Sequence, residues 1–130
     1  MRYKNNPANI RYSPLNKWKG SIQPSNGFCQ FETINYGVRA LILTLRTYII
    51  KHKLTSVDQI IKRFAPPTEN NTRLYISYVC NVLLSRGLNT DDIVVYTPAF
   101  NALVAAICKY ETGFDLQNVI LRDTYNLIFG

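Results

Sequence analysis

The sequence predicts a mainly helical α+β fold with a small N-terminal β-hairpin, and three observations lead there. Pro7, Pro14, Pro24, Gly20 and Gly27 crowd the start of the chain among many Asn and Ser, which favours turns and short strands over helix. Beyond Gly37, apolar residues recur at three- and four-residue steps, the period of an amphipathic helix. Helix-stop and helix-start residues then punctuate the remainder of the chain. With 130 residues, 47% of them apolar and 18% charged, the chain is one domain, residues 1–130, able to bury a core without disulfides. This composition excludes a disordered or collagen-like chain.

In order, Asn9-Ile10-Arg11-Tyr12 and Gly27-Phe28-Cys29-Gln30-Phe31 are the expected strands, separated by Trp18-Lys19-Gly20. Val38, Leu41, Ile42, Leu45, Tyr48 and Ile49 place a helix from Gly37 to about Lys53. Thr55, with Asp58 three positions on, reads as the cap of a short helix carrying Val57, Ile60, Ile61 and Phe64 on one face. Pro66 and Pro67 end it, because proline cannot continue the hydrogen-bond ladder. Thr72 is the expected cap of a third helix, with Leu74, Tyr75, Tyr78, Val79, Val82 and Leu83 as its stripe and Gly87 at the left-handed end position. Thr97-Pro98 opens a fourth, since proline suits a first helical turn; its face is Phe100, Leu103, Val104, Ile107 and Cys108, and Gly113 stops it. One more short helix is expected between Leu116 and Phe129.

Charge and side-chain chemistry narrow the function. Fifteen basic against eight acidic residues leave a net charge of +7, which favours polyanionic partners: nucleic acid, anionic lipid or the acidic polymers of a bacterial wall. No apolar run approaches the roughly 18–20 residues that span a bilayer, and no secretory signal is recognised behind Met1-Arg2, so no membrane insertion is expected. Three cysteines, Cys29, Cys80 and Cys108, lack metal-ligand spacing and read as small core hydrophobes; no metal and no cofactor is expected. The single histidine, His52, lies between Lys51 and Lys53 and suits a solvated helix end. Nucleotide loops and G-x-S-x-G are absent from the sequence, which leaves carboxylates as candidate catalysts.

Acid-catalysed glycoside cleavage needs a carboxyl kept protonated by an apolar setting. Of Glu32, Glu69 and Glu111, the last is best placed, following the apolar run that ends at Tyr110 and lying four residues after Ile107. That spacing admits two positions: on the buried stripe, or in water at a frayed helix end. Glu69 precedes a helix and reads as a dipole or capping device, Glu32 as a surface residue, and Asp115 as a weaker second acid. Tyr12, Trp18 and Tyr75 offer aromatic faces that suit sugar rings as well as nucleobases.

Two resemblances add to this. Asn6-Pro7-Ala8-Asn9-Ile10-Arg11-Tyr12, Trp18-Lys19-Gly20, Gly27-Phe28-Cys29-Gln30-Phe31, Tyr36-Gly37-Val38-Arg39-Ala40 and Ala65-Pro66-Pro67-Thr68-Glu69-Asn70-Asn71-Thr72 with Tyr75 resemble, in that order, a phage and prophage family labelled virion structural proteins. The same segments are similar to autolysin-type N-acetylglucosaminidases of the lysozyme superfamily, in permuted order. Residues 6–11 match the strand of that family, Trp18 to Gly20 its Trp-x-Gly turn, and Ala65 to Tyr75 its tyrosine segment. Ala106-Ile107-Cys108-Lys109-Tyr110-Glu111-Thr112-Gly113 matches its Glu-Ser-Gly helix, with Thr112 in place of Ser.

The resemblance implies a circularly permuted, lysozyme-like domain that cleaves peptidoglycan as a muramidase, glucosaminidase or lytic transglycosylase. Glu111 is then the general acid, and Tyr75 orients the 2-acetamido group or steadies the oxocarbenium-like transition state. Asn9, Arg11, Tyr12, Trp18, Glu69 and Asn70 would line the glycan strand. Glu111 and Tyr75 should then face one groove bordered by Asn9, Arg11 or Tyr12. The expected partner is the peptidoglycan glycan strand, with other virion proteins and no specific nucleic acid. The chain is expected to be made in a bacterial cytoplasm and to act in a virion or at the envelope. The alternative is a non-enzymatic virion or assembly protein of the same fold.

Overall fold

A computed structural model describes residues 1–68 and 71–130, so the sequence expectations for Glu69 and Asn70 lie outside the described residues. The elements are β1 (Ser21–Ser25), β2 (Phe28–Phe31), α1 (Ile34–Ile50), α2 (Val57–Phe64), α3 (Thr72–Ser85), α4 (Pro98–Thr112) and α5 (Asn118–Phe129). This is the expected α+β arrangement, mainly helical with one antiparallel hairpin at the start.

The hairpin uses different residues from those expected. β2 pairs with β1, the segment after the Trp18 turn, and the ladder is irregular between Ile22 and Ser25. Pro24 sits in that irregularity, where a strand tolerates a missing N–H. Residues 9–12 form no strand; Arg11 makes a single bridge to Phe28, supported by Tyr12 N–H to the Gly27 carbonyl (2.8 Å) and Cys29 N–H to the Ile10 carbonyl (2.9 Å).

Asn6 explains why this segment stays in place without a ladder. Its side chain is fully buried, with its amide NH2 donating to the carbonyls of Ile10 (3.0 Å) and Cys29 (2.8 Å) while its amide oxygen accepts from Ile10 N–H (2.8 Å). Each buried polar atom of the amide thus finds a partner, and the turn is tied to β2. Asn5 and Asn9, on either side, take the left-handed conformation (φ 55° and 52°), which asparagine adopts more readily than most residues.

This segment rests on α1 because Gly37 lets it. A Cβ at Gly37 would lie 1.9 Å from the Asn5 carbonyl oxygen. The glycine therefore serves as a notch inside the helix, and α1 begins before it, capped by Thr33, whose hydroxyl accepts from Tyr36 N–H. Gly20 plays a related part, turning at φ +76° directly against the Tyr36 ring. Two other helix starts shift by a residue. Ser56, not Thr55, caps α2 in a reciprocal box with Gln59, because that glutamine reaches back to the cap N–H. Asn71 caps α3, while Thr72 is buried and donates to the Ala65 carbonyl (2.7 Å).

The core is one contiguous cluster containing Phe31, Leu41, Leu45, Ile60, Tyr75, Leu83, Phe100, Leu103 and Ile107. Leu74 departs from the expected stripe of α3 and is exposed. α5 closes the bundle against α1, where the Asn35 amide donates to the Ile120 carbonyl and the Thr124 hydroxyl, each at 3.2 Å. Cys29 and Cys108 are buried, Cys80 is half-buried, and none is in a disulfide. Burial pushes the Cys108 thiol up to about 12, so it packs as a neutral group. No helix among the described residues is long and apolar enough to cross a membrane.

Replacing Asn6 by Ala removes three buried hydrogen bonds and leaves the Ile10 N–H and the Cys29 carbonyl without the amide, each worth roughly 1–3 kcal/mol, while the Ile10 carbonyl keeps Cys29 N–H as a donor. Denaturant unfolding of Asn6→Ala should show a loss of at least ~2 kcal/mol, while Leu15→Ala, at a side chain 90% exposed, should unfold like the wild type.

Candidate active site

α4 ends where the sequence places its stop, and this sets Glu111. Thr97 caps its start, Pro98 occupies the first turn, and Gly113 turns left-handed (φ 76°) to close the C-terminus. Glu111 therefore lies within the last helical turn and is half-buried rather than frayed into water. Two contacts fasten this turn to the start of the chain. Thr112 donates its hydroxyl to the Pro7 carbonyl (2.8 Å). Asn9, held in its left-handed turn, donates its amide to the Glu111 backbone carbonyl (3.3 Å) and to carboxylate Oε1 (3.1 Å). One asparagine thereby caps a helix-terminal carbonyl and orients the carboxylate.

The carboxylate faces a cavity of about 490 Å³. Asn9, Ile10, Arg11, Trp18 and Phe28 line it from the N-terminal part of the chain, and Thr44 and Tyr48 of α1 with Arg63 and Phe64 at the end of α2 line it from the helices. Glu111 is the only carboxylate among the described residues lining it. Asp115 borders a separate hollow and pairs with Lys109 (2.9 Å) at the surface, and Glu32 is exposed. Trp18 brings an aromatic face, and its indole N–H is buried without a hydrogen-bond partner among the described residues. The Arg11 guanidinium lies 5.1 Å over the Phe28 ring, which fixes its position on the wall.

Tyr75 stands beside this cavity rather than in it. Its side chain is 1% exposed and stacks on Tyr110, with ring centroids 3.9 Å apart. The hydroxyl completes no hydrogen-bond geometry with a described residue. Burial first, then the charge and acceptor oxygens of the neighbouring Glu111 carboxylate, hold this phenol far above the usual tyrosine range, so it remains a proton-bearing group aligned with Glu111.

Of the residues singled out from the sequence, Asn9, Arg11, Trp18 and Glu111 share the cavity and Tyr75 adjoins it through Glu111. Tyr12 does not line it and is 48% exposed. Glu69 and Asn70 fall outside the described residues. Sequence reasoning missed the wall formed by Thr44, Tyr48 and Arg63. A signal existed: Thr44 and Tyr48 are four apart on an otherwise apolar helix face and so present polar atoms on one side.

Among the described residues no group of three or more His, Cys, Asp or Glu converges as a metal site. The site is thus a single acid, steadied by an amide, in an aromatic and basic hollow between the N-terminal segment and the helices. Over 116 residues the chain is 34% identical to Protein P5 of Pseudoalteromonas phage PM2, in an alignment covering 84% of this chain and 68% of that protein. The chain belongs to the Protein P5 family. It is a phage protein family, in agreement with the first resemblance read from the sequence, and no protein-family model matches the chain. The P5 relationship carries no likeness to lysozymes, so within this P5-family chain the enzymatic reading rests on the geometry around Glu111.

Tyr75→Phe removes a hydroxyl without a complete hydrogen bond, so unfolding stability should stay within ~0.5 kcal/mol of wild type or rise slightly. A loss above ~1.5 kcal/mol would mean that the hydroxyl is bonded in the fold and serves structure alone.

Proposed function

We propose that this P5-family protein cleaves the glycan strands of peptidoglycan, with Glu111 as general acid. The observation that supports this reading is the half-buried Glu111 carboxylate, oriented by Asn9 in the wall of a cavity that also presents Trp18 and Arg11. Glu111 gives its proton to the oxygen linking two sugars as the bond from C1 to that oxygen breaks. Electron-poor C1 is then captured within the substrate, because Glu111 is the only described carboxylate in the cavity. The oxygen of the 2-acetamido group can do this, with water later opening the ring and returning a proton to Glu111. A hydroxyl of the same sugar can do it instead, its proton passing directly to Glu111, which gives a transglycosylase product.

Asn9 and Trp18 bind and orient the sugar, Asn9 through its amide and Trp18 through its ring face. Tyr75 is a positioning residue, its phenol lying beside the Glu111 carboxylate on the core side. The positive charge of +7 favours adsorption to an anionic wall. As a phage protein it would reach that wall with the particle, in the company of other virion proteins.

The test is turbidity loss of purified peptidoglycan. Wild type should clear the suspension, and Glu111→Gln, with unchanged unfolding, should be slower by about 10²–10⁴-fold, the usual worth of a general acid. Tyr75→Phe should lower the rate while leaving binding to insoluble peptidoglycan intact. Sedimentation with peptidoglycan without release of soluble sugar would instead identify a non-enzymatic virion component. Salt-sensitive binding to DNA with no affinity for the wall would overturn both.

A further inference from the structure

The proposed reaction does not use the part of the lining that α2 contributes. Arg63 occupies it at the end of α2, beside Lys62. These two neighbours are handled differently. Lys62 turns outward and pairs with Asp58 (2.9 Å), the ordinary fate of a basic residue in a helix's last turn. Arg63 instead lies over the Tyr48 ring, with its guanidinium carbon 5.2 Å from the centroid, and its Nη2 is 3.4 Å from His52 Nε2. Guanidinium has only donors, so a neutral imidazole with its acceptor nitrogen toward Arg63 satisfies this contact. None of the ion pairs among the described residues involves Arg63.

The result is an exposed guanidinium resting against an aromatic ring and beside an imidazole, in no ion pair among the described residues. It borders the same hollow as Glu111. A planar, preorganised fork of this kind matches a carboxylate, which it can hold by two parallel hydrogen bonds. Nothing in a neutral sugar strand makes equal use of it.

We infer that Arg63 is a specificity-determining residue that receives the carboxylate of an acidic substituent on the glycan, so that the preferred substrate is a carboxylate-bearing amino-sugar strand rather than a neutral one. This rests on the glycan-cleaving reading above and deepens it. Two sources present this chemistry: the lactyl acid on the sugar itself, and a carboxylate on a peptide attached there.

The experiment is calorimetric titration of the full chain with three probes: N-acetylmuramic acid bearing a free lactyl carboxylate, muramyl dipeptide in which that acid is amidated and the carboxylate lies on the peptide, and neutral tetra-N-acetylglucosamine. Wild type should bind at least one acidic probe about tenfold more tightly than the neutral oligomer, a difference of about 1.4 kcal/mol. The acidic probe that wins names the source of the carboxylate. Arg63→Gln should erase the preference, and Arg63→Lys should restore part of it.

His52, the single histidine, supplies a second readout by proton NMR. Partial desolvation and the charges of Arg63 and Lys51 hold its pKa below the ordinary histidine value. A carboxylate docked on Arg63 offsets that repulsion, so the acidic probe should raise the His52 titration midpoint and the neutral oligomer should leave it unmoved. Equal binding of acidic and neutral probes by wild type, or Arg63→Gln weakening both alike, overturns the role of Arg63 while glycan recognition stands. No binding of any probe, together with no cleavage of peptidoglycan, overturns the glycan reading itself.

Discussion

Asn6 is the residue on which the rest of this structure depends. A two-stranded hairpin is too small to organise a domain, and the segment before it has no ladder of its own. One buried amide replaces that ladder by bonding to Ile10 twice and to Cys29 once. Because the amide is sealed from water, these bonds have no competitor, and losing the amide leaves the Ile10 N–H without its acceptor. The turn so fixed brings Asn9 to the end of α4, over a separation of 102 residues, where it meets Glu111. Gly37 completes the constraint by removing the Cβ that would push the segment off α1.

From this follows an asymmetric cavity. The wall from the N-terminal segment and α4 carries the acid and the amide that steers it; the wall from α1 and α2 carries a stacked guanidinium. Tyr75 lies beside Glu111 on the core side, where burial and the carboxylate's charge keep its phenol protonated. The chemistry is concentrated in few groups, with structural residues holding each one in a single orientation. The proposed general acid would need such an arrangement, since the energy of aligning a proton donor is then spent in folding rather than in catalysis.

Much of this was legible in the sequence because local signals are strong where they occur. Thr97-Pro98 and Gly113 bracket α4 so clearly that the position of Glu111 near its end could be read directly. The choice between a buried and a solvated carboxylate could not, because it is decided by Asn9, far away in sequence. β1 was illegible for a local reason: Pro24 reads as a turn, and only the irregular pairing around it admits a strand. The helix caps moved by one residue where two candidate hydroxyls adjoin, as at Thr55 and Ser56, and the side chain of Gln59 chose between them. Arg63 reads as an ordinary exposed residue of a last helical turn, and it is exposed; its stacking on Tyr48 is a tertiary contact that no periodicity encodes. Gly37 was visible as a boundary but is a notch for the Asn5 carbonyl, a role set entirely by what packs on it.

Mass spectrometry of the soluble fraction after incubation with purified peptidoglycan addresses the central claim most directly, since each cleaved strand carries a newly made sugar end. A pinned, proton-donating Glu111 predicts muropeptides with either reducing or intramolecularly cyclised ends from wild type, and none above background from Glu111→Gln of equal stability. The same set of fragments from both proteins, or from neither, would contradict the account.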